Sequence, residues 1–261
     1  HYLFQTIDNT HTFSFLHCLI NANFTDTNFW MKNHWWKALS ILLLGYTIVA
    51  GFLFQFPDLP ILNETIRNVF FHIPMWYSMI ICFTVSGVYA IRFLLSSDLR
   101  FDAGSSQFAF VGLFMGCLGM MTGMEWARVT WGEFWSNDPK QLGALAVLIV
   151  YAAYAVLRMF IKNEESVARI SAVFNVFALA MLFPLIFIIP AHAKSLHPGT
   201  DGNNFQALYT QSKYLRKVSL PGMVGWILLS VWIGNLRMRL VRIQLHLDLQ
   251  QYLPKDFFKK D

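Results

Sequence analysis

An all-α integral membrane protein, with six transmembrane helices, both termini in the cytoplasm and a tryptophan-rich outer loop, is the fold class this sequence predicts. Three observations carry it. The 261 residues are 56% hydrophobic and only 13% charged, with 25 phenylalanines and a mean hydropathy of +0.44; an ordinary soluble domain is roughly 25% charged. One soluble core cannot hide that much apolar surface, because burial saturates at about three quarters of the unfolded chain's surface. The apolar residues also gather into six runs near the length of about 20 residues that a membrane-crossing helix needs. Finally, Lys and Arg divide unevenly between alternate sets of loops, thirteen against seven, and the richer set marks the cytoplasmic side.

The same arithmetic excludes several classes. Intrinsic disorder needs low hydrophobicity and high net charge. A net charge of +5, scattered along the chain, argues for no nucleic-acid partner. The three cysteines, Cys18, Cys82 and Cys117, lie far apart and form no CxxC. A disulfide framework, a cysteine zinc site and a thioether haem attachment therefore lack support.

The six spans are read as about Trp36–Phe54, Phe70–Leu95, Gln107–Met124, Leu142–Ile161, Ile170–Ile189 and Val218–Leu236, each bounded by charge or by Pro and Gly. The third carries Gly112, Gly116, Gly119 and Gly123 on one face, a spacing that lets helix backbones approach closely in lipid. Residues 1–30 hold no Lys or Arg and precede a start-like Met31-Lys32, so they are taken as an N-terminal extension outside the functional domain. That domain runs over residues 31–236. Residues 237–261 continue the last span as a basic amphipathic cytoplasmic tail, with Leu236, Leu240, Ile243 and Leu247 at helical spacing among arginines.

With this topology the polar chemistry collects on the outer side. His72 stands at the mouth of the second span, in Phe71-His72-Ile73-Pro74. A loop from Glu125 to Lys140 places Trp126, Trp131 and Trp135 within ten positions, with Gly132, Phe134 and Asp138 among them. His192 and His197 follow the fifth span. Tryptophan at a span end is commonly an interfacial anchor, and three so close together argue for more than anchoring. Two imidazoles on one side can fill both axial positions of a haem iron, a macrocycle can rest on the indole and phenyl rings, and Arg128 or Lys140 can meet its propionates. No HExxH, P-loop or GxSxG pattern occurs, so zinc hydrolysis, ATP hydrolysis and serine hydrolysis have no basis.

This arrangement resembles the haem-handling proteins of cytochrome c maturation, the CcmC family with its relative CcsA, over residues 31 to about 250. The segment Trp131-Gly132-Glu133-Phe134-Trp135-Ser136-Asn137-Asp138 is similar to the family's WWD loop, with Phe134 and Asn137 in place of two tryptophans. Asp138-Pro139-Lys140 is more like CcsA. The resemblance implies that His72 and His197 are the axial ligands, with His192 the alternative to His197, because Ala191-His192-Ala193-Lys194 stands where the family has tryptophans. It implies a platform of Trp126, Trp131, Gly132, Phe134, Trp135 and Asp138. It further implies transient, non-covalent binding of haem b at the periplasmic face of a bacterial inner membrane, and delivery to a CcmE-like haem chaperone. Partners would be a CcmA/CcmB-like ABC ATPase with its membrane subunit and a CcmD-like single-span helper. Such a carrier is not an enzyme. A CcsA-like cytochrome c synthetase is the alternative, and a permease or an electron-transfer haem subunit fits less well, because the spans hold few ionisable residues and the histidines sit only at the outer ends.

Overall fold

A computed structural model of the protein describes residues 34–54, 62–197 and 213–252. In lipid a backbone must satisfy its own N–H and C=O groups, and the apolar runs do so as helices; among the described residues there is no strand. Helix α1 is Trp35–Leu53. A short 3₁₀ turn, Asn63–Asn68, leads into α2, Val69–Ser96. Helix α3 is Leu99–Trp131, α4 is Pro139–Phe160 and α5 is Glu164–Phe183. A widened π turn, Pro184–Ile188, and a last helical turn, Ile189–Ala191, extend α5. Helix α6 is Lys213–Tyr252. Among the described residues, six helical stretches are long and apolar enough to cross a membrane.

Each boundary has a local cause. Ser97, in left-handed conformation, stops α2 and hands over to Asp98, whose carboxylate accepts the Arg100 N–H and caps α3. Gly132 ends α3 at φ 89°, a conformation that only glycine adopts without strain. Asp138 caps α4 ahead of Pro139, which tolerates the first helical position because its missing N–H has no partner there anyway. Asn163 caps α5 by accepting from Ser166.

The sequence places all six spans correctly, with one correction of substance. Residues 125–131, read as loop, continue α3 as helix, so the connection to α4 shrinks to Gly132–Asp138. Charged and aromatic residues mimic a loop in sequence, yet they leave a helix intact where it emerges from the bilayer. Helix α5 likewise begins at Glu164, ahead of the predicted Ile170.

The chain divides into two units. The larger, Lys37–Met238, holds the core; the other takes in His1–Trp36 with Arg239–Asp261. In the larger unit α2 and α3 pack along the glycine face of α3. A Cβ on Gly112 would stand 2.6 Å from the Phe83 ring, and one on Gly116 would stand 2.5 Å from Leu148, so those glycines are packing residues. Phe83 stacks on Tyr151 of α4, with Met75, Met79, Met115 and Val147 around them. Below this core, Asn175 of α5 donates to Ser86 of α2 at 2.7 Å and to Ser105 of α3 at 2.8 Å. Nearby Arg158 of α4 holds Asp102 of α3 through two bonds of 2.7 and 2.8 Å. Large apolar side chains such as Leu42, Leu53 and Phe160 face outward, as a lipid-bathed surface requires. The proposed extension at residues 1–30, the loop after Pro57, Pro198-Gly199 and the end of the tail lie outside the described residues.

Candidate functional site

A cleft opens at the end of the larger unit where α2 begins and α3 ends. Its lining comes from four elements and one connecting segment: His72 and Trp76 of α2; Gly119, Met120, Gly123 and Met124 of α3; Lys140, Gln141 and Ala144 of α4; Ile186 of the π turn; and His197. Counting its open mouth and the solvent in it, about 630 Å³ is free of atoms. Apart from the two imidazoles, Lys140, Gln141 and the indole N–H of Trp76, the lining is apolar. Two histidines distant in sequence thus face one space.

The His72 ring is set by its neighbours. Its Nδ1–H donates to the Gly119 carbonyl at 3.0 Å, with Thr122 Oγ1 at 3.3 Å, which puts the lone pair on Nε2. Trp76 and Trp126 meet the ring edge to face, at centroid distances of 6.1 and 5.9 Å and interplanar angles of 85° and 82°. Trp126 is itself held by its Nε1–H donating to Thr65 at 3.3 Å. The ring has room only because α3 carries glycine there: a Cβ on Gly123 would stand 2.5 Å from His72 Cε1.

His197 is held by charge. Its Nδ1–H donates to Asp138 Oδ1 at 2.8 Å, again leaving the lone pair on Nε2. Trp131 meets the ring edge to face at 4.9 Å. Asp138, 3% exposed, also accepts from Ser195 Oγ at 2.8 Å and from the N–H groups of Leu196 and Lys140 at 2.7 and 2.9 Å. Burial pushes the Asp138 carboxyl up, but the Ser195 hydrogen bond, the facing His197 and the two backbone N–H groups outweigh it and hold it below the usual carboxylate range. For His197, burial lowers the pKa more than Asp138 restores, with Lys140 lowering it further, so the ring is neutral at pH 7.

The other residues singled out from the sequence form a separate layer. Arg128, read as a propionate contact, turns onto its own loop, donating to the Gly132 carbonyl and lying 5.8 Å from the centre of the Phe134 ring. Trp135 donates to Asn137 at 2.8 Å. Trp126, Arg128, Trp131, Gly132, Phe134, Trp135 and Asp138 are not among the residues lining the cleft, and neither is His192, which is exposed. Lys140 is the cation that reaches the lining. Asp138 is a partner of His197 more than a platform. The sequence reading missed Trp76, although it stands one helical turn after His72, and Gln141, whose amide ties α4 to Ser136 and Phe134 of the loop.

The donor set suits a flat, hydrophobic, metal-containing ligand. Two imidazoles with Nδ1 engaged offer Nε2 to a metal, apolar and indole surfaces cover a macrocycle, and one ammonium group can meet carboxylates.

Comparison with known proteins bears on the same chain. Cytochrome c biogenesis protein CcsA of Synechococcus sp. (strain CC9605) is 40% identical over 65 residues, 25% of this chain and 21% of that protein. CcsA of Pelargonium hortorum is 34% identical over 83 residues, 31% of this chain and 26% of that protein. Heme exporter protein C of Bradyrhizobium diazoefficiens is 25% identical over 153 residues, 58% of this chain and 57% of that protein. The matched stretch thus spans between a fifth and somewhat over half the length of these relatives. The family model described as heme exporter protein C, CcmC, matches residues 16–251. That match covers nearly the whole of the chain, whose described residues hold six helices long and apolar enough to cross a membrane, and the protein belongs to the heme exporter protein C family.

Proposed function

We propose that this protein handles haem during cytochrome c biogenesis, taking it into the cleft and passing it to a haem chaperone outside the membrane. One observation carries the reading: His72 and His197 line the same apolar cleft. Haem supplies an iron with two open axial positions and a flat hydrophobic rim, and here it is cargo. His72 and His197 bind the iron, Trp76 flanks the macrocycle, Trp131 backs the His197 ring, and Lys140 meets a propionate. Filling both axial positions keeps oxygen from the iron while the cargo waits. Handover would exchange one iron–nitrogen bond for a ligand of the acceptor and break the other. The Lys and Arg distribution supports the cleft facing the periplasm with both termini in the cytoplasm. The family supports an ABC ATPase, its membrane subunit and a small single-span helper as partners, in a bacterial inner membrane, with haem b bound non-covalently.

Purified protein loaded with haem is expected to give a low-spin bis-imidazole spectrum. His72→Ala and His197→Ala are each expected to lose that spectrum or most of the haem; unchanged haem content and spectrum in both variants would falsify the reading. Trp131→Ala and Trp135→Ala are expected to weaken capture of a co-expressed chaperone.

The CcsA relatives favour a second reading, a synthetase that attaches haem directly to apocytochrome thiols. Co-expression with an apocytochrome and no chaperone separates the two. Covalent haem on the acceptor supports the synthetase, and its absence there, with chaperone loading restored when the chaperone is supplied, supports the carrier.

A further inference from the structure

We propose that Asp138 is the positioning residue for His197: one buried carboxylate sets the imidazole and the Lys140 backbone in a single frame facing the cleft. The inference rests on the haem reading for its consequences, but the clamp itself stands on the apoprotein's geometry.

Four donors converge on this carboxylate from two directions in sequence. Ser195 Oγ, the Leu196 N–H and His197 Nδ1 come from the segment after α5; the Lys140 N–H comes from the first turn of α4. Ser195 doubles the link, because its Oγ also accepts the His197 N–H at 3.1 Å. The segment carrying His197 has no helix of its own here: it leaves the last helical turn at Ala191 and reaches the cleft as irregular chain. A ligand on such a segment has no rigid element to aim it. Asp138 supplies one, since its backbone is the N-cap of α4. The helix N-terminus also favours a negative charge at that place.

This gives Asp138 two effects on a bound metal without contact to it. It fixes the His197 tautomer and ring plane, and its negative charge makes that imidazole a stronger donor. Histidine ligands whose second nitrogen meets a carboxylate typically lose about 10–100-fold in metal affinity when that partner is removed.

The test uses the full-length protein in detergent, haem-free and haem-loaded. In haem-free Asp138→Asn, hydrogen exchange at the Leu196 and His197 amides is expected to accelerate. In the loaded variant, haem affinity is expected to fall about 10–100-fold and the reduction potential to rise, because a weaker donor stabilises ferric iron less. In a His197→Ala background, Asp138→Asn is expected to change haem affinity and potential no further, since its effect passes through the ring. Wild-type amide exchange in Asp138→Asn overturns the clamp. Accelerated exchange with wild-type affinity and potential overturns the positioning role, as does an additive loss in the double variant. Should Asp138→Asn fail to fold, Ser195→Ala carries the test: the same shifts in smaller measure support the proposal, and wild-type exchange and affinity overturn it. If His72→Ala and His197→Ala leave haem binding intact, the haem reading falls while the exchange measurement still decides the clamp.

Discussion

At the scale of single residues, the two histidines are held by different means, and the difference has measurable consequences. His72 is held by shape: glycines on α3 leave a slot that a carbonyl and two indoles complete. Gly123→Val should therefore push the ring out of the slot. We expect a loss of haem comparable to that of His72→Ala, with helix content kept, as circular dichroism and haem titration on one preparation will show. His197 is held by a carboxylate, and pH follows from that. Both Asp138 and His197 have folded pKa values below their usual ones, so on acidification the unfolded chain takes up protons first. The stability they contribute is complete above pH 6.5, the ordinary histidine value, and declines as pH falls through the folded values of His197 and then Asp138. The melting-temperature advantage of wild type over His197→Gln should be largest at pH 7.5 and shrink toward pH 5. An advantage that grows on acidification contradicts this assignment.

Elements contribute packing that no single side chain supplies. The Asp102–Arg158 pair joins the start of α3 to the end of α4, with side chains only 12% and 15% exposed. Removing one partner leaves a buried charge without compensation, at a cost of roughly 3–5 kcal/mol, whereas replacing both by apolar residues costs less. Arg158→Met should thus lower the thermal midpoint in detergent more than the Asp102→Leu/Arg158→Met double variant does. At the other end of α4, Gly143 packs against the backbone of the π turn: a Cβ there would clash with the Leu185 carbonyl oxygen. Gly143→Ala must move the π turn, and Ile186 of that turn lines the cleft. We expect weakened haem binding from this residue without its touching the ligand, measured by titration against a wild-type control of equal helicity.

For the whole molecule, the decisive prediction is topological. In a background without native cysteine, a single cysteine at Glu133 should react with a membrane-impermeant maleimide added to intact spheroplasts, and one at Glu165, beyond the far end of α4, should not. The reverse pattern would put the cleft on the cytoplasmic side. Much of this architecture was legible in advance, because a bilayer imposes length and apolarity so strictly that the six runs announce themselves. Where α3 emerges from lipid that constraint lapses, and Glu125, Arg128 and Thr130 looked like loop. His72 and His197 were found by chemistry and by resemblance. What stayed hidden was pairing: nothing in the local sequence links Asp138 to His197 or assigns Arg128 to the Gly132 carbonyl, since both depend on where segments meet. The π turn at Pro184–Ile188 was equally invisible, and one short helical turn and an irregular segment join it to His197. Deleting Phe187 would shorten that tether by one residue, so Ser195, Leu196 and His197 would reach the Asp138 carboxylate only under tension.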